Sequence, residues 1–206
     1  PRIDSQVIVL ASIGRNVGTT VIATNFAAEL ALNSRSVLLI DCHAEHPSIS
    51  SLLGIHGIWE RIVESEFGFS ATEIADVQRI EEVSNLASQY ECVVIDLGEL
   101  RLNSRTSVGN RLPDVLTTWS LKSSERLHLV TDQRLNLNSD VLKLIGTLRT
   151  IAEIPYVDRI VKLTETLPKR EMDQYKKCSE DELGIQTYIY PHDRRAAQAI
   201  RRDPRP

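Results

Sequence analysis

The chain has 206 residues, of which 42% are hydrophobic and 25% are charged, enough to bury one sizeable core. Its net charge of -4 gives no general attraction to nucleic acid or anionic lipid, so no nucleic-acid partner is predicted. The three cysteines form no C-x-x-C pair, which argues against a disulfide framework or a thiol-redox site and favours the cytoplasm. We therefore expect a single domain over residues 1–206. Because the sequence starts at Pro1 and not at Met, we expect either a domain excised from a longer chain or a processed end.

The first unit is predicted to be a strand, a loop and a helix. An apolar run at residues 7–11 predicts the strand, and Ile22, Phe26 and Leu30, spaced by four, predict an amphipathic helix. Residues 12–20 lie between them and form a loop of the kind that aims backbone N–H groups at a phosphate from the start of a helix, here called the phosphate-type loop.

This loop departs from a working phosphate-binding loop at its charged position. The usual pattern is G-x-x-x-x-G-K-[ST], in which the Lys contacts the β- and γ-phosphates and the hydroxyl contacts magnesium. Gly18 and Thr20 fit that pattern, but Thr19 occupies the Lys position and Ile13 the first Gly position. The pattern therefore predicts a nucleotide-binding architecture that lacks its main cation.

The rest of the chain alternates short apolar strands with helical patterns. The strands are predicted to be buried on both faces because apolar residues do not alternate with polar ones. Because strands alternate with helices along the chain, we expect the strands to lie parallel to one another in the sheet. The sequence thus predicts an α/β fold: a mostly parallel, twisted sheet with helices on both faces. The predicted strands are residues 36–41, 92–96, 127–130, 159–161 and 185–190, and the predicted helices are residues 72–89, 138–151 and 193–202.

Two of the predicted strands end in aspartate. Asp41 and Asp96 should meet at the carboxyl edge of the sheet, where ligands of such folds bind. There, together with Thr20, they could hold Mg²⁺ beside a phosphate. The alternative is that each Asp is an ordinary turn residue. The candidate cofactor-binding residues, forming a vestigial nucleotide pocket, are Gly14, Arg15, Gly18, Thr19, Thr20, Asp41 and Asp96, and the candidate metal ligands are Thr20, Asp41 and Asp96, for Mg²⁺ only if a nucleotide binds.

A group of cysteine and histidine residues after the strand at residues 36–41 is a second candidate metal site, for zinc. Cys42, His43 and His46 are soft ligands close in sequence, but no fourth ligand follows at a recognisable spacing, so zinc is not expected. No Ser/His/Asp or Cys/His set with a recognisable nucleophile turn is present either, so no catalytic residue is assigned.

These segments together resemble the MinD/ParA family of deviant P-loop ATPases. Residues 7–32 resemble the family's first strand and helix, residues 37–55 its switch region, and residues 90–96 its Walker B strand. Residues 190–196 resemble the P-x-D-x-R-A near the end of MinD, ParA and the CpaE/TadZ pilus-assembly proteins. The resemblance implies a P-loop NTPase-like fold.

The same resemblance implies a degenerate member. The family uses one Lys in the loop and another that reaches the partner's nucleotide across a dimer, and Thr19 and Gly14 occupy those positions here. The family's D-x-D, whose second carboxylate orients the attacking water, corresponds to Asp41, Cys42 and His43. We therefore expect a pseudo-ATPase with no cofactor, although binding of ATP and Mg²⁺ remains open.

The resemblance leaves two functions open. The first is a localisation or scaffold factor for a cell-envelope machine such as pilus assembly, with protein partners and a homodimer that does not depend on ATP. Such a factor would be cytoplasmic and would reach the inner face of the membrane only through its partners. The second is an active ATPase or kinase-like regulator of exopolysaccharide synthesis or export, because residues 41–55, 57–63 and 71–74 resemble bacterial tyrosine autokinases.

Overall fold

The fold is built on one sheet whose strands are joined by helices. The computed structural model describes residue 3 and residues 5–43, 47–100, 111–133, 138–154 and 156–191. In chain order the elements are β1 (Gln6–Ser12), α1 (Thr19–Leu32), β2 (Val37–Asp41), α2 (Ile49–Leu53), β3 (Val63–Glu64), β4 (Ser70–Glu73), α3 (Arg79–Ala87), β5 (Cys92–Glu99), α4 (Leu112–Ser123), β6 (Arg126–Asp132), α5 (Asn138–Ile151), β7 (Tyr156–Lys162), α6 (Lys169–Leu183) and β8 (Thr187–Tyr190).

The strand order of the described sheet is β3-β4-β2-β5-β1-β6-β7-β8. Every neighbouring pair is parallel except β3 with β4, which is antiparallel. All the parallel strands therefore end at one edge of the sheet, here called the carboxyl edge. The prediction of a mostly parallel α/β sheet is confirmed, and the strands predicted at residues 7–11, 37–40 and 93–95 are neighbours at its centre.

The sheet is buried on both faces, which explains the continuous apolar runs. Successive side chains of a strand point to opposite faces. Accordingly, Val7 and Val9 pack in a core with residues of α3, α4 and α5, whereas Ile8 and Leu10 pack in a second core with residues of α1 and α2. A strand covered on both sides has no solvent-facing position, so β1 carries no polar alternation.

One predicted helix is wrong in its first half. Residues 72–89 contain the end of strand β4 and, six residues later, the helix α3 (Arg79–Ala87). β4 forms because it pairs in parallel with β2, and the Thr72 hydroxyl donates to the carbonyl of Ile58 at 3.0 Å. The helix starts after Asp76, whose carboxylate accepts hydrogen bonds from the backbone N–H groups of Gln78 and Arg79.

Three sequence predictions lie outside the described residues. They concern the helix at residues 193–202, His46 of the considered metal cluster, and most of the P-x-D-x-R-A segment. None of the helices in the described ranges has the length and the apolar character needed to span a membrane.

Candidate functional site

The loop between β1 and α1 leaves the first turn of a helix without a side-chain cap. Gly14, Asn16 and Gly18 have φ angles of 97°, 56° and 85°, so the backbone turns back on itself before α1 begins. Gly18 is the residue before the helix, and no side chain there accepts a hydrogen bond from the first turn. The first N–H groups of an α-helix have no partner within the helix, and they carry the positive end of its dipole. The loop is therefore shaped to receive an anion.

Thr19 and Thr20 open α1 and have different surroundings. Thr19, at the position of the loop Lys, is 5% exposed, and its short side chain brings no positive charge. The Thr20 hydroxyl accepts a hydrogen bond of 3.0 Å from the hydroxyl of Ser48, which lies just before α2. The structure thus joins the phosphate-type loop to the segment that follows β2.

Asp41, at the end of β2, is fully buried and has hydrogen bonds to both of its carboxylate oxygens. Oδ1 accepts from the N–H of His43 at 3.0 Å. Oδ2 accepts from the N–H groups of Ser48 at 2.9 Å and Ile49 at 3.0 Å. Burial raises the pKa of Asp41, and these three bonds and the nearby His43 oppose the rise. Asp41 therefore fixes the loop after β2 and starts α2.

Asp96, the neighbour of Asp41 across the β2–β5 pair, is less well satisfied. Its Oδ1 accepts the N–H of Gly98 at 3.0 Å, but its fully buried Oδ2 has no hydrogen-bond partner in the described part of the chain. Burial, and secondly the charge of Asp41, raise the pKa of Asp96 from 3.8 to about 7; the nearby Thr20 hydroxyl and the Gly98 N–H oppose this. A buried carboxylate oxygen without a partner is unusual, and a water molecule, an ion or a ligand at this point would satisfy it.

A magnesium ion fits part of this arrangement. Oxygen atoms of a hydroxyl and a carboxylate are the ligands that Mg²⁺ prefers, usually together with phosphate oxygens and water. Thr20 and the free oxygen of Asp96 meet that requirement, whereas the oxygens of Asp41 are already engaged by backbone N–H groups. Within the described ranges, no group of three or more His, Cys, Asp and Glu side chains could hold a metal by itself. The ligand set Thr20, Asp41 and Asp96 stays a prediction.

Arg15, one of the candidate pocket residues, forms an ion pair at the end of β5. Its Nε lies 3.3 Å from the carboxylate of Glu99 at the end of β5, and its side chain is 71% exposed. An exposed pair of this kind is weak. Arg15 could leave Glu99 for a phosphate at little cost, but the structure does not hold it ready for that contact.

His43, at the position of the water-orienting carboxylate, packs against the backbone that follows Asp96. An added Cβ at Gly98 would lie 2.5 Å from Cδ2 of the His43 ring, and Gly98 has a φ of 63°. Only glycine meets both conditions without strain. The imidazole thus occupies the space next to β5.

Lys162 belongs to this site and was missed by the sequence reasoning. It ends β7, and its Nζ lies against Gly18 at the start of α1. The sequence signal was available: like Asp41 and Asp96, Lys162 follows an apolar strand and so falls on the carboxyl edge.

The fold and the loop define a class before any comparison. A mostly parallel sheet with β1 at its centre, a phosphate-type loop leading into α1, and aspartates at the ends of β2 and β5 together form a P-loop NTPase-like architecture. All seven predicted pocket residues lie on or next to the carboxyl edge. Their binding of a nucleotide stays a prediction.

Comparison with known proteins refines the class. No protein-family model and no curated protein matches this sequence. Among solved structures, the chain is similar to the MinC:MinD cell division protein complex of Aquifex aeolicus, with a TM-score of 0.70, 18% identity, and 96% of this chain and 86% of that chain covered. It is also similar to a putative plasmid partition protein of Borrelia burgdorferi B31 bound to AMPPNP (0.62, 16%, 93% and 89%) and to the kinase domain of the Escherichia coli tyrosine kinase ETK (0.62, 17%, 80% and 71%). The chain has a MinD/ParA-like P-loop ATPase fold, and identities this low show the fold alone.

Proposed function

We propose that this protein is a degenerate MinD/ParA-like domain that acts as a localisation or scaffold factor for a cell-envelope machine, such as one that assembles pili, with little or no ATP hydrolysis. The observation that carries the proposal is Thr19, a small buried residue at the position where catalysis requires a cation. Its neighbours do not replace that function, since Arg15 pairs with Glu99 and His43 packs on Gly98.

Magnitudes support the loss of turnover. Phosphoryl transfer is catalysed almost wholly by positioning and by stabilisation of charge. Loss of one well-placed donor typically costs about 2.7–4 kcal/mol, or roughly 10²–10³ in rate. A missing loop Lys and a histidine in place of the water-orienting carboxylate should together leave little activity.

The proposed partners are the proteins of that machine, and the proposed location is the cytoplasm, at the inner face of the membrane through those partners. A homodimer, if formed, should not depend on ATP. Gly14 lies where the family has the Lys that contacts the partner's nucleotide, so ATP has no cation with which to favour the dimer. A ligand shifts an equilibrium only by its different affinities for the two states.

A second function rests on Asp96. Its unpartnered oxygen beside Thr20 is a feature that an abandoned site would not need to keep. Together with the likeness to the kinase domain of ETK, it favours an active ATPase or a kinase-like regulator of exopolysaccharide synthesis or export.

Phosphate release from ATP and Mg²⁺ by the purified protein separates the two functions. The scaffold role predicts release equal to that of a buffer control. Thr20→Ala and Asp96→Ala test any signal, and Thr147→Ala, an exposed threonine on α5, is the matched control. The scaffold role as stated is refuted if the wild type releases phosphate steadily, Thr20→Ala and Asp96→Ala abolish the release, and Thr147→Ala leaves it intact. That result would establish that the protein is an active enzyme.

Sedimentation with and without ATP and Mg²⁺ tests the association. We expect the same oligomeric state in both conditions. A monomer that dimerises only when ATP and Mg²⁺ are added would contradict the proposal, because it would show the nucleotide-dependent switch that Gly14 should prevent.

A further inference from the structure

Lys162 is held at the phosphate-type loop by the backbone of β7. The carbonyl of Lys162 accepts a hydrogen bond from the N–H of Gln133 at 3.2 Å, and the next residue, Leu163, donates to the carbonyl of Tyr190 at 2.9 Å. In register, Lys162 pairs with Asp132 of β6 and Tyr190 of β8. Its Cα is therefore fixed between two strands at the carboxyl edge, and only its side chain can move.

That side chain extends over Gly18. An added Cβ at Gly18 would collide with Nζ of Lys162 and would lie 3.4 Å from its Cε and 3.5 Å from its Cδ. Gly18 also has a φ of 85°. Glycine is thus required here both for the turn into α1 and for the passage of Lys162. The ammonium group reaches the loop that has lost its own Lys.

This ammonium group lies beside the N-terminus of α1. The N-terminus of α1 carries the positive end of the helix dipole, and a cation beside it is repelled. The first turn of α1 contains no acidic residue that could compensate this charge. An anion between Nζ and the N–H groups of α1 would be attracted by both.

A second, independent observation points to the same ligand. Asp96 is fully buried, and its Oδ2 has no hydrogen-bond partner among the described residues, although the Thr20 hydroxyl on the first turn of α1 is close by. A carboxylate would repel a bare phosphate, but it stabilises a phosphate that carries a divalent cation. The cation at Lys162 and the open oxygen at Asp96 together match an Mg²⁺-bound phosphate.

We propose that Lys162, supplied by β7, is the cation of this loop, and that it binds a phosphate group of a Mg²⁺-bound di- or triphosphate seated at the N-terminus of α1. This role goes beyond the scaffold function and does not depend on it. Lys162 contacts Gly18 and leaves position 19 to a threonine, so it can hold a phosphate without restoring turnover.

Titration calorimetry with two probes, magnesium tripolyphosphate and magnesium ADP, tests the proposal. Lys162→Met removes the charge and keeps the stem that lies on Gly18. The control is Lys143→Met, which removes a 79% exposed lysine from α5. Loss of a charge-assisted bond to phosphate should weaken both probes by about tenfold or more, and Lys143→Met should change neither. Wild-type affinity should also fall as potassium chloride is added, and less so in Lys162→Met.

A compensating variant sharpens the test. Thr19→Lys added to Lys162→Met returns a cation to the loop itself, so it should recover most of the lost affinity. Recovery shows that the two positions serve one phosphate. If Lys162→Met unfolds, the same titrations of Lys162→Gln and the salt dependence of wild-type binding test the proposal instead.

The proposal is overturned if the wild type binds neither probe, or if Lys162→Met binds both as tightly as the wild type. The scaffold function fails by a different result, since turnover of ATP would refute it and leave the role of Lys162 intact. Binding that is lost in Lys162→Met, with no turnover, supports both.

Discussion

Two buried charged residues of the same sheet, Asp96 in β5 and Arg159 in β7, differ in how fully their side chains are hydrogen-bonded. Asp96 keeps one carboxylate oxygen without a partner at the carboxyl edge. Arg159, within β7, is 1% exposed but is surrounded by acceptors. Its Nε donates to the Thr131 hydroxyl and its Nη1 to the Ser179 hydroxyl, both at 3.0 Å.

The electrostatics agree with this contrast. Burial lowers the pKa of Arg159, but Tyr175 and Glu182 raise it again, so the guanidinium is compensated from α6. Around Asp96, burial and the like charge of Asp41 both act against the charged form. A fully partnered buried charge fixes helix to sheet, whereas an incompletely partnered one is a site that a ligand can complete.

The largest effect is expected at Arg159. Arg159→Met leaves the buried hydroxyls of Thr131 and Ser179 without their donor, and each lost hydrogen bond to a charged group costs about 1.5–3 kcal/mol of unfolding free energy. Urea denaturation measures it, with Arg149→Met on the exposed side of α5 as control. A loss below about 1 kcal/mol would show that the network is not structural.

Asp96→Asn should act in the opposite direction and should depend on pH. The folded pKa of about 7 lies above the unfolded value of 3.8, so stability is greatest at acid pH and falls as pH rises from 3.8 to about 7. Asn carries no charge, so the variant should be more stable than the wild type at about pH 8, by at most about 4 kcal/mol, and similar to it near pH 4. Denaturation across this range measures the difference.

The exposed Asp173→Asn, on α6, is the control for charge removal. It should show no comparable dependence on pH. If Asp96→Asn is destabilising at every pH, the Asp96 carboxylate is better satisfied than its geometry indicates, and the contrast with Arg159 fails.

Gly98→Ala should cost about 2 kcal/mol, because Cβ meets the His43 ring and the left-handed backbone disfavours any side chain. In a His43→Ala background the cost should fall to about 1 kcal/mol, the backbone part alone. Equal costs in both backgrounds, measured by urea denaturation, would show that His43 does not press on β5.

The smallest effect is expected at Arg15. The pair with Glu99 is exposed, so Arg15→Ala should change the unfolding free energy by less than about 0.5 kcal/mol. The same denaturation series detects a larger loss, which would mean that Arg15 helps to hold the loop in shape.

The sequence allowed the centre of the sheet to be predicted, but not its edge. Strands β1, β2 and β5 are apolar on both faces. That pattern lies within each strand's own sequence, so each strand can be predicted without knowing its partners. Strand β4 (Ser70–Glu73) is short and mostly polar, and it exists because it pairs with β2. The sequence pattern of residues 72–89 does not contain that pairing, so it predicts one helix for the whole segment.

The candidate site, like the sheet, was predictable only in the part that local sequence motifs define. Gly18, Thr20, Asp41 and Asp96 follow from motifs at fixed spacing, and the structure gathers them at the carboxyl edge. The contact between Lys162 and Gly18 joins residues far apart in sequence, and it depends on β6 lying between β1 and β7. Only the strand order reveals it.

The central place of β1 has a consequence for how the chain acquires its fold. β1 pairs with β5 on one side and β6 on the other, so its two partners follow about 80 and 115 residues later in sequence. A nascent chain must carry this apolar strand without a sheet neighbour until β5 (Cys92–Glu99) has been made. Contacts of such long range slow folding and leave apolar surface open to other chains, so we expect α1, which follows β1 directly, to be its first cover during synthesis.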